Sequence, residues 1–177
     1  MSNDPHRPDD PPGTGDGPDA TIVLAATAAQ MQALGATLGR SLRAGDVVAL
    51  NGPLGTGKTT FAQGIAVGLD VPADRHVASP TFALVNEHPG RIPFVHADLY
   101  RIEGPAEVAE LGLEEAYDRA ATAIEWAERY PAILPLDHLE IAFTLKKDGA
   151  RQLGLKASGP RGEILLAALL DSAISAE

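Results

Sequence analysis

The residues Gly52-Pro53-Leu54-Gly55-Thr56-Gly57-Lys58-Thr59 match the phosphate-binding pattern G-x-x-x-x-G-K-[ST] in full. No other stretch restricts the possible folds as much. Asp46-Val47-Val48-Ala49-Leu50 before it is short, apolar and β-prone, while Phe61, Ala62, Ile65, Ala66 and Leu69 after it recur at helical spacing. The order is therefore strand, loop, helix. The three glycines allow positive φ and close approach to an anion, so that Gly52 to Thr60 can aim backbone N–H groups at phosphate oxygens at a helix N-terminus. Lys58 adds a cation for the β- and γ-phosphates, Thr59 a hydroxyl for Mg²⁺, and Thr60 reaches toward the α-phosphate. An accidental match in a chain this long is roughly a one per cent event on average residue usage.

The remaining composition sets limits on this site. A chain of 177 residues is expected to form one domain, over residues 21–177, with a core that needs no staples. Residues 1–20 are acidic, rich in proline and glycine, and nearly devoid of apolar side chains, so a disordered tail is expected. There are no cysteines, which removes disulfides and thiolate metal sites and fits a cytoplasmic location. No apolar run is long enough for a membrane span, and no secretory signal pattern stands at the start. A net charge of −10 argues against holding nucleic acid on a broad basic surface.

Along the chain, Thr21 to Leu24 reads as an edge strand. Thr27-Ala28-Ala29-Gln30 has capping-box form and opens a helix with Met31, Leu34, Leu38 and Leu42 on one face. Its start can stand near a bound base, although for any single residue in it a packing role alone is the commoner reading. Ser79-Pro80-Thr81-Phe82 suits a loop that touches a γ-phosphate and responds to its loss, although such a tetrapeptide by itself is more often a plain turn. Ala83 to Asn86 and Ile92 to Ala97 are expected to pair as a hairpin around Glu87-His88-Pro89-Gly90. The second of these strands ends at Asp98, and a further strand, Ala121 to Ile124, delivers Glu125 and the sole tryptophan, Trp126. Two acids thus stand at strand ends downstream of a P-loop. Either can serve Mg²⁺ or position water, and the sequence leaves their roles open. Trp126 is equally a base-stacking or a core residue. Leu139 to Leu145 and Leu153 to Ala157 alternate around Asp148-Gly149 and are expected as antiparallel additions at the sheet edge. Lys146, Lys147 and Arg151 flank that turn as solubilising residues or as contacts to nucleotide or RNA. A final helix with Leu165, Leu166, Leu169 and Leu170 inward follows Gly159-Pro160.

The P-loop, Ser79-Pro80-Thr81-Phe82, His96-Ala97-Asp98-Leu99-Tyr100-Arg101 and Ile124-Glu125-Trp126, in this order and at these intervals, resemble the TsaE (YjeE) family of bacterial tRNA threonylcarbamoyladenosine biosynthesis ATPases. The likeness runs from about Thr21 to the final helix. It implies an α/β, P-loop NTPase-like three-layer fold whose mixed sheet is parallel in the centre and antiparallel at its flanks. It also implies ATP and Mg²⁺ as cofactors and the proteins TsaB and TsaD as partners, with tRNA met only through their complex and ATP turnover resetting that complex between cycles. By motif, Gly52 to Thr60 hold phosphates, Thr59 and Glu125 the metal, and Asp98 has a catalytic or water-positioning role that can exchange with that of Glu125. Thr81 is the switch threonine, and Tyr100, Arg101 and Trp126 shape the site or a partner surface. Two positions depart from the family habit: Ala127 replaces a frequent proline, and His88 replaces the aromatic residue that often closes its strand.

Two other functions fit a P-loop of this size. A small-molecule kinase needs an acceptor pocket and usually an arginine-bearing lid, and Arg75, Arg91, Arg101, Arg119 and Arg129 are too scattered to form one. A GTPase-like binding switch would be expected to carry an N-K-x-D-type motif, which is lacking.

Overall fold

Val47, Val48, Ala49 and Leu50 have no exposed surface, so the strand leading into the P-loop is covered on both faces. The computed structural model describes residues 21–174; the expected tail, residues 1–20, lies outside them. The elements are β1 (Thr21–Ala25), α1 (Ala28–Ser41), β2 (Val47–Asn51), α2 (Lys58–Gly68), β3 (Val85–His88), β4 (Phe94–Asp98), α3 (Pro105–Glu110), α4 (Leu113–Tyr117), β5 (Ala121–Glu125), β6 (His138–Leu145), β7 (Arg151–Ser158) and α5 (Gly159–Ile174). Two single-turn 3-10 segments, Ala127–Arg129 and Pro131–Ile133, link β5 to β6.

The strands form one sheet in the order β1-β7-β6-β2-β5-β4-β3. The centre is parallel and the flanks antiparallel, in line with the expected fold class. Val48 and Leu50 of β2 face a core with Leu38 of α1, Phe61 and Ile65 of α2, and Leu165 of α5. Val47 and Ala49 face the opposite core with Val108 of α3 and Leu113 of α4. Successive residues of one strand thus feed two layers, the consequence of a period of two on a sheet covered on both sides.

One expectation is corrected. β6 is not an antiparallel strand at the edge; it lies inside the sheet, parallel to β2, with Leu50 opposite Ile141. Only β7 returns antiparallel, and β1 takes the outer position beside it. Alternation of apolar residues marks the face of a strand but carries no information about the direction of its neighbour. The β3–β4 turn also lies later than expected, between His88 and Phe94, because Arg91 is anchored. Its backbone N–H donates to the Leu69 carbonyl, and its guanidinium donates to Gly39, Arg40 and Leu42 carbonyls at the end of α1. These carbonyls lie at the end of α1, where a helix runs short of internal donors, although Gly39 O also accepts from the Leu42 N–H.

The α1 N-terminus follows the capping-box reading. Gln30 N–H donates to Thr27 Oγ1 at 3.1 Å and the Gln30 carboxamide accepts from the Thr27 N–H at 3.2 Å. α1 then packs on α2 through glycines on both sides. A Cβ on Gly35 would stand 2.3 Å from Phe61 O, on Gly39 2.4 Å from Ile65 O, and on Gly68 2.1 Å from Ala36 O. The two backbones therefore lie in direct contact, which fixes the P-loop helix against the sheet.

His88 closes β3 and stacks on Phe94 at 6.0 Å, so it serves as the aromatic residue of that position. Its Nε2 is buried without a hydrogen-bond partner. Burial, with His96 and Arg75 adding to it, holds its pKa below the ordinary 6.5. The folded chain then binds fewer protons here than the unfolded chain as pH falls below that value, so stability falls on the acid side. His88→Phe keeps the stacking and removes the titration. The drop in melting temperature between about pH 7.5 and about pH 5.5 is expected to be smaller in this variant, and an equal drop would contradict it.

Candidate functional site

The P-loop adopts the backbone its glycines permit, with φ of 125° at Gly52, 78° at Gly55 and 105° at Gly57. Gly52 has a second reason to lack a side chain, since a Cβ would stand 2.4 Å from Phe143 O of β6. Thr56 is buried and donates to Pro53 O at 2.8 Å, closing the loop on itself. α2 begins at Lys58 with no side-chain cap. Its first N–H groups therefore remain available to an anion at the loop. Lys58 Nζ donates to Gly52 O at 2.6 Å and Pro53 O at 2.7 Å, and lies 4.1 Å from the centre of the Trp126 ring. Burial pulls its pKa below the ordinary lysine value, against the opposing pull of Glu125, Glu128 and Asp98.

Asp98 and Glu125 are opposite each other in the β4–β5 register, both buried. Their contacts separate them. Glu125 accepts from Thr59 Oγ1 at 2.9 and 3.2 Å and from His96 Nε2 at 2.8 Å. A carboxylate can only accept, so Nε2 carries the proton of that bond. Asp98 instead accepts from Ser79 and Thr81 hydroxyls on one oxygen and from the Tyr100 N–H on the other. One acid is tied to the P-loop helix and the other to the Ser79-Pro80-Thr81-Phe82 loop.

A cavity of about 330 Å³ joins these groups; its walls include Gly55, Lys58, Thr59, Thr60, Thr81 and Trp126, together with both acids. Gly52, Pro53 and Thr56 are not part of its walls, while Leu54 is, 76% exposed. The contacting hydroxyl and carboxylate of Thr59 and Glu125 are the hard oxygen donors Mg²⁺ takes, since it draws its remaining ligands from phosphate and water. No cluster of three or more His, Asp or Glu able to hold a metal occurs among the described residues.

Trp126 sits in a left-handed backbone conformation, φ 61°, which turns the chain sharply out of β5. That turn leans its ring on Tyr100 at 4.9 Å and over Lys58. It also brings Glu128 back under the P-loop, where Oε1 accepts from the Gly52 N–H at 2.9 Å and Oε2 is buried without a partner. Burial pushes the Glu128 carboxyl above its ordinary pKa, with the Gly52 N–H and Lys58 acting the other way.

Sequence reasoning gave Glu128, His96 and Ser79 no role of their own. The alternation of His96 with Asp98 on one strand was a usable signal for the former, whereas nothing in the pattern announces Glu128. Of the scattered arginines, Arg119 pairs with Glu87, Arg91 holds α1, and Arg129 donates to Leu99 and Tyr100 carbonyls. Arg151, from the turn set down as solubilising or as a nucleotide or RNA contact, is in the cavity wall.

The chain has relatives in sequence and in fold. A family profile described as "Threonylcarbamoyl adenosine biosynthesis protein TsaE" matches residues 25–153. The chain is 44% identical over 125 residues to the tRNA threonylcarbamoyladenosine biosynthesis protein TsaE of Nostoc sp., covering 67% of this chain and 75% of that protein. It is 40% identical over 123 residues to the protein of the same name from Bacillus subtilis, covering 68% and 75%. Its fold is similar to the crystal structure of Bacillus subtilis YdiB, with a TM-score of 0.73 and 28% identity over 87% of this chain and 96% of that one. With the P-loop, both acids and the switch-like loop inside the matched span, the chain belongs to the TsaE family of tRNA threonylcarbamoyladenosine biosynthesis proteins.

Proposed function

We propose that this chain is a Mg²⁺-dependent ATPase that acts in the cytoplasm on a TsaB–TsaD complex, meets tRNA only through it, and resets it between rounds of threonylcarbamoyladenosine formation. The observation that carries the ATPase reading is the contact of Thr59 with Glu125 beside Lys58 at the N-terminus of α2. Phe82, 90% exposed, and Leu54 at the mouth of the cavity offer apolar surface to a partner. Phe82 also lies 5.2 Å from the Arg101 guanidinium, a cation over an aromatic face.

In this mechanism the N–H groups of the P-loop and of the first turn of α2 bind the phosphates. Lys58 exchanges its Gly52 and Pro53 carbonyl partners for the β- and γ-phosphates. Mg²⁺, when bound, neutralises charge on the terminal phosphates and orients them. Thr59 and Glu125 would hold it, and His96 fixes the Glu125 carboxylate in place. Asp98 orients the attacking water. Because it also holds Ser79 and Thr81, a change at the γ-phosphate reaches the Ser79-Pro80-Thr81-Phe82 loop, which is the exposed loop a partner can read.

The test is steady-state ATP hydrolysis by the full chain with TsaB and TsaD present. Glu125→Gln and Asp98→Asn are each expected to slow turnover more than about tenfold, a barrier increase above about 1.4 kcal/mol, at unchanged melting temperature. Unchanged rates would make the two acids structural.

A further inference from the structure

Arg151 begins β7, where its backbone pairs with Leu145 of β6 on one side and Ala25 of β1 on the other. A tight turn places it there. Lys146 N–H donates to Ala150 O at 2.8 Å, Gly149 N–H to Lys146 O at 3.0 Å, and Ala150 N–H to Asp148 Oδ1 at 3.0 Å. The half-buried Arg151 side chain spends one N–H on Gly149 O at 2.9 Å and forms no ion pair among the described residues. Its remaining donors belong to the only cation besides Lys58 among the residues lining the phosphate cavity.

The sheet order decides which end of a nucleotide this cation meets. Glu125 on β5 and Asp98 on β4 lie on one side of β2, and Arg151 on β7 lies on the other. The acid side, with Thr59, suits the metal and the terminal phosphates, so the nucleoside end of the same ligand extends toward β6 and β7. Thr60, which follows the metal-side threonine into α2, lines the cavity together with Arg151. A guanidinium presents several N–H groups in a plane that matches phosphate oxygens. We propose that Arg151 is a nucleotide-binding residue that holds the nucleoside-proximal phosphate of the adenine nucleotide, from the side of the P-loop opposite the two acids.

This inference rests on the nucleotide-site reading and adds a determinant of affinity to it. The experiment is calorimetric titration of the full chain with ADP, alongside ATP turnover at varied ATP concentration. Arg151→Ala is expected to weaken ADP about tenfold, the effect of losing a charged hydrogen-bond donor, and the loss in turnover is expected to fall on KM rather than on kcat. Arg151→Lys recovers part of the affinity. Arg151→Gln retains an N–H for Gly149 O but loses the charge, and it is expected to bind as weakly as the alanine variant, which separates phosphate binding from support of the turn. ADP affinity at the wild-type level in both Arg151→Ala and Arg151→Gln, or a loss confined to kcat, would overturn the proposal and leave the nucleotide site standing. A wild-type chain that binds neither ADP nor ATP would overturn the site reading itself.

Discussion

Lys58→Ala is expected to lower the affinity for ATP by about a hundredfold or more, with the chain still folded. Charged hydrogen bonds contribute about 1.5–3 kcal/mol each, and in the proposed mechanism Lys58 meets two phosphates, so the expected loss is about 3 kcal/mol or above. The side chain is buried and its ammonium already sits against the loop that receives the nucleotide, so little reorganisation is needed on binding. The fold persists in the variant because the loop has other supports. Gly52 keeps its N–H bond to Glu128 and Thr56 its bond to Pro53 O. Titration with ATP and a thermal melt check both halves. Affinity within about threefold of wild type would remove the P-loop from the account.

The second large effect concerns the helix pair that carries the loop. Gly68→Val is expected to destabilise the fold by about 3 kcal/mol or more, lowering the melting temperature by roughly 6–12 °C. A Cβ at this position meets backbone on α1, 2.1 Å from Ala36 O and 2.8 Å from the Arg40 N, so no side-chain rotation relieves the clash. The helices must separate, and α2 must shift relative to the sheet. Nucleotide affinity then falls as well, because the α2 N-terminus is one wall of the cavity. Differential scanning calorimetry gives the answer, and a melting temperature within about 2 °C of wild type would show that the interface has slack.

Much of this molecule was legible in local patterns. The P-loop, the Thr27–Gln30 capping box and the Met31-Leu34-Leu38 face each depend on residues within a few positions of one another, which is the range over which propensity and periodicity act. The sequence also marked Asp98 and Glu125 as strand-end acids. It did not separate their contacts, since these depend on Thr59 from α2, on Ser79 and Thr81 from the loop before β3, and on the side-chain direction of His96, two residues before Asp98 on β4.

The placement of β6 was missed for a related reason. Its neighbour β2 lies about ninety residues away in the chain, and only the direction of the crossover decides between a central parallel strand and an edge hairpin. α4 leaves little mark in the sequence, because Gly112, in a left-handed conformation, interrupts the helical pattern and only Leu113 and Ala116 of the short helix are buried. Glu128 and Arg151 share a property: each reaches the site through a turn, Trp126 in one case and Asp148-Gly149 in the other, and the direction of a side chain beyond a turn is not encoded in periodicity.

The proposed function and the proposed role of Arg151 together divide the labour across β2: metal and water chemistry on the β4–β5 side, tied to an exposed loop, and nucleoside-proximal binding on the β7 side. The central claim is that ATP turnover at this site serves the tRNA modification. The most direct measurement is mass spectrometry of tRNA nucleosides after depletion of the protein in its host and rescue with wild type, Lys58→Ala or Glu125→Gln. Wild type is expected to restore threonylcarbamoyladenosine and both variants to leave it depleted; restoration by either variant at wild-type protein levels would contradict the claim.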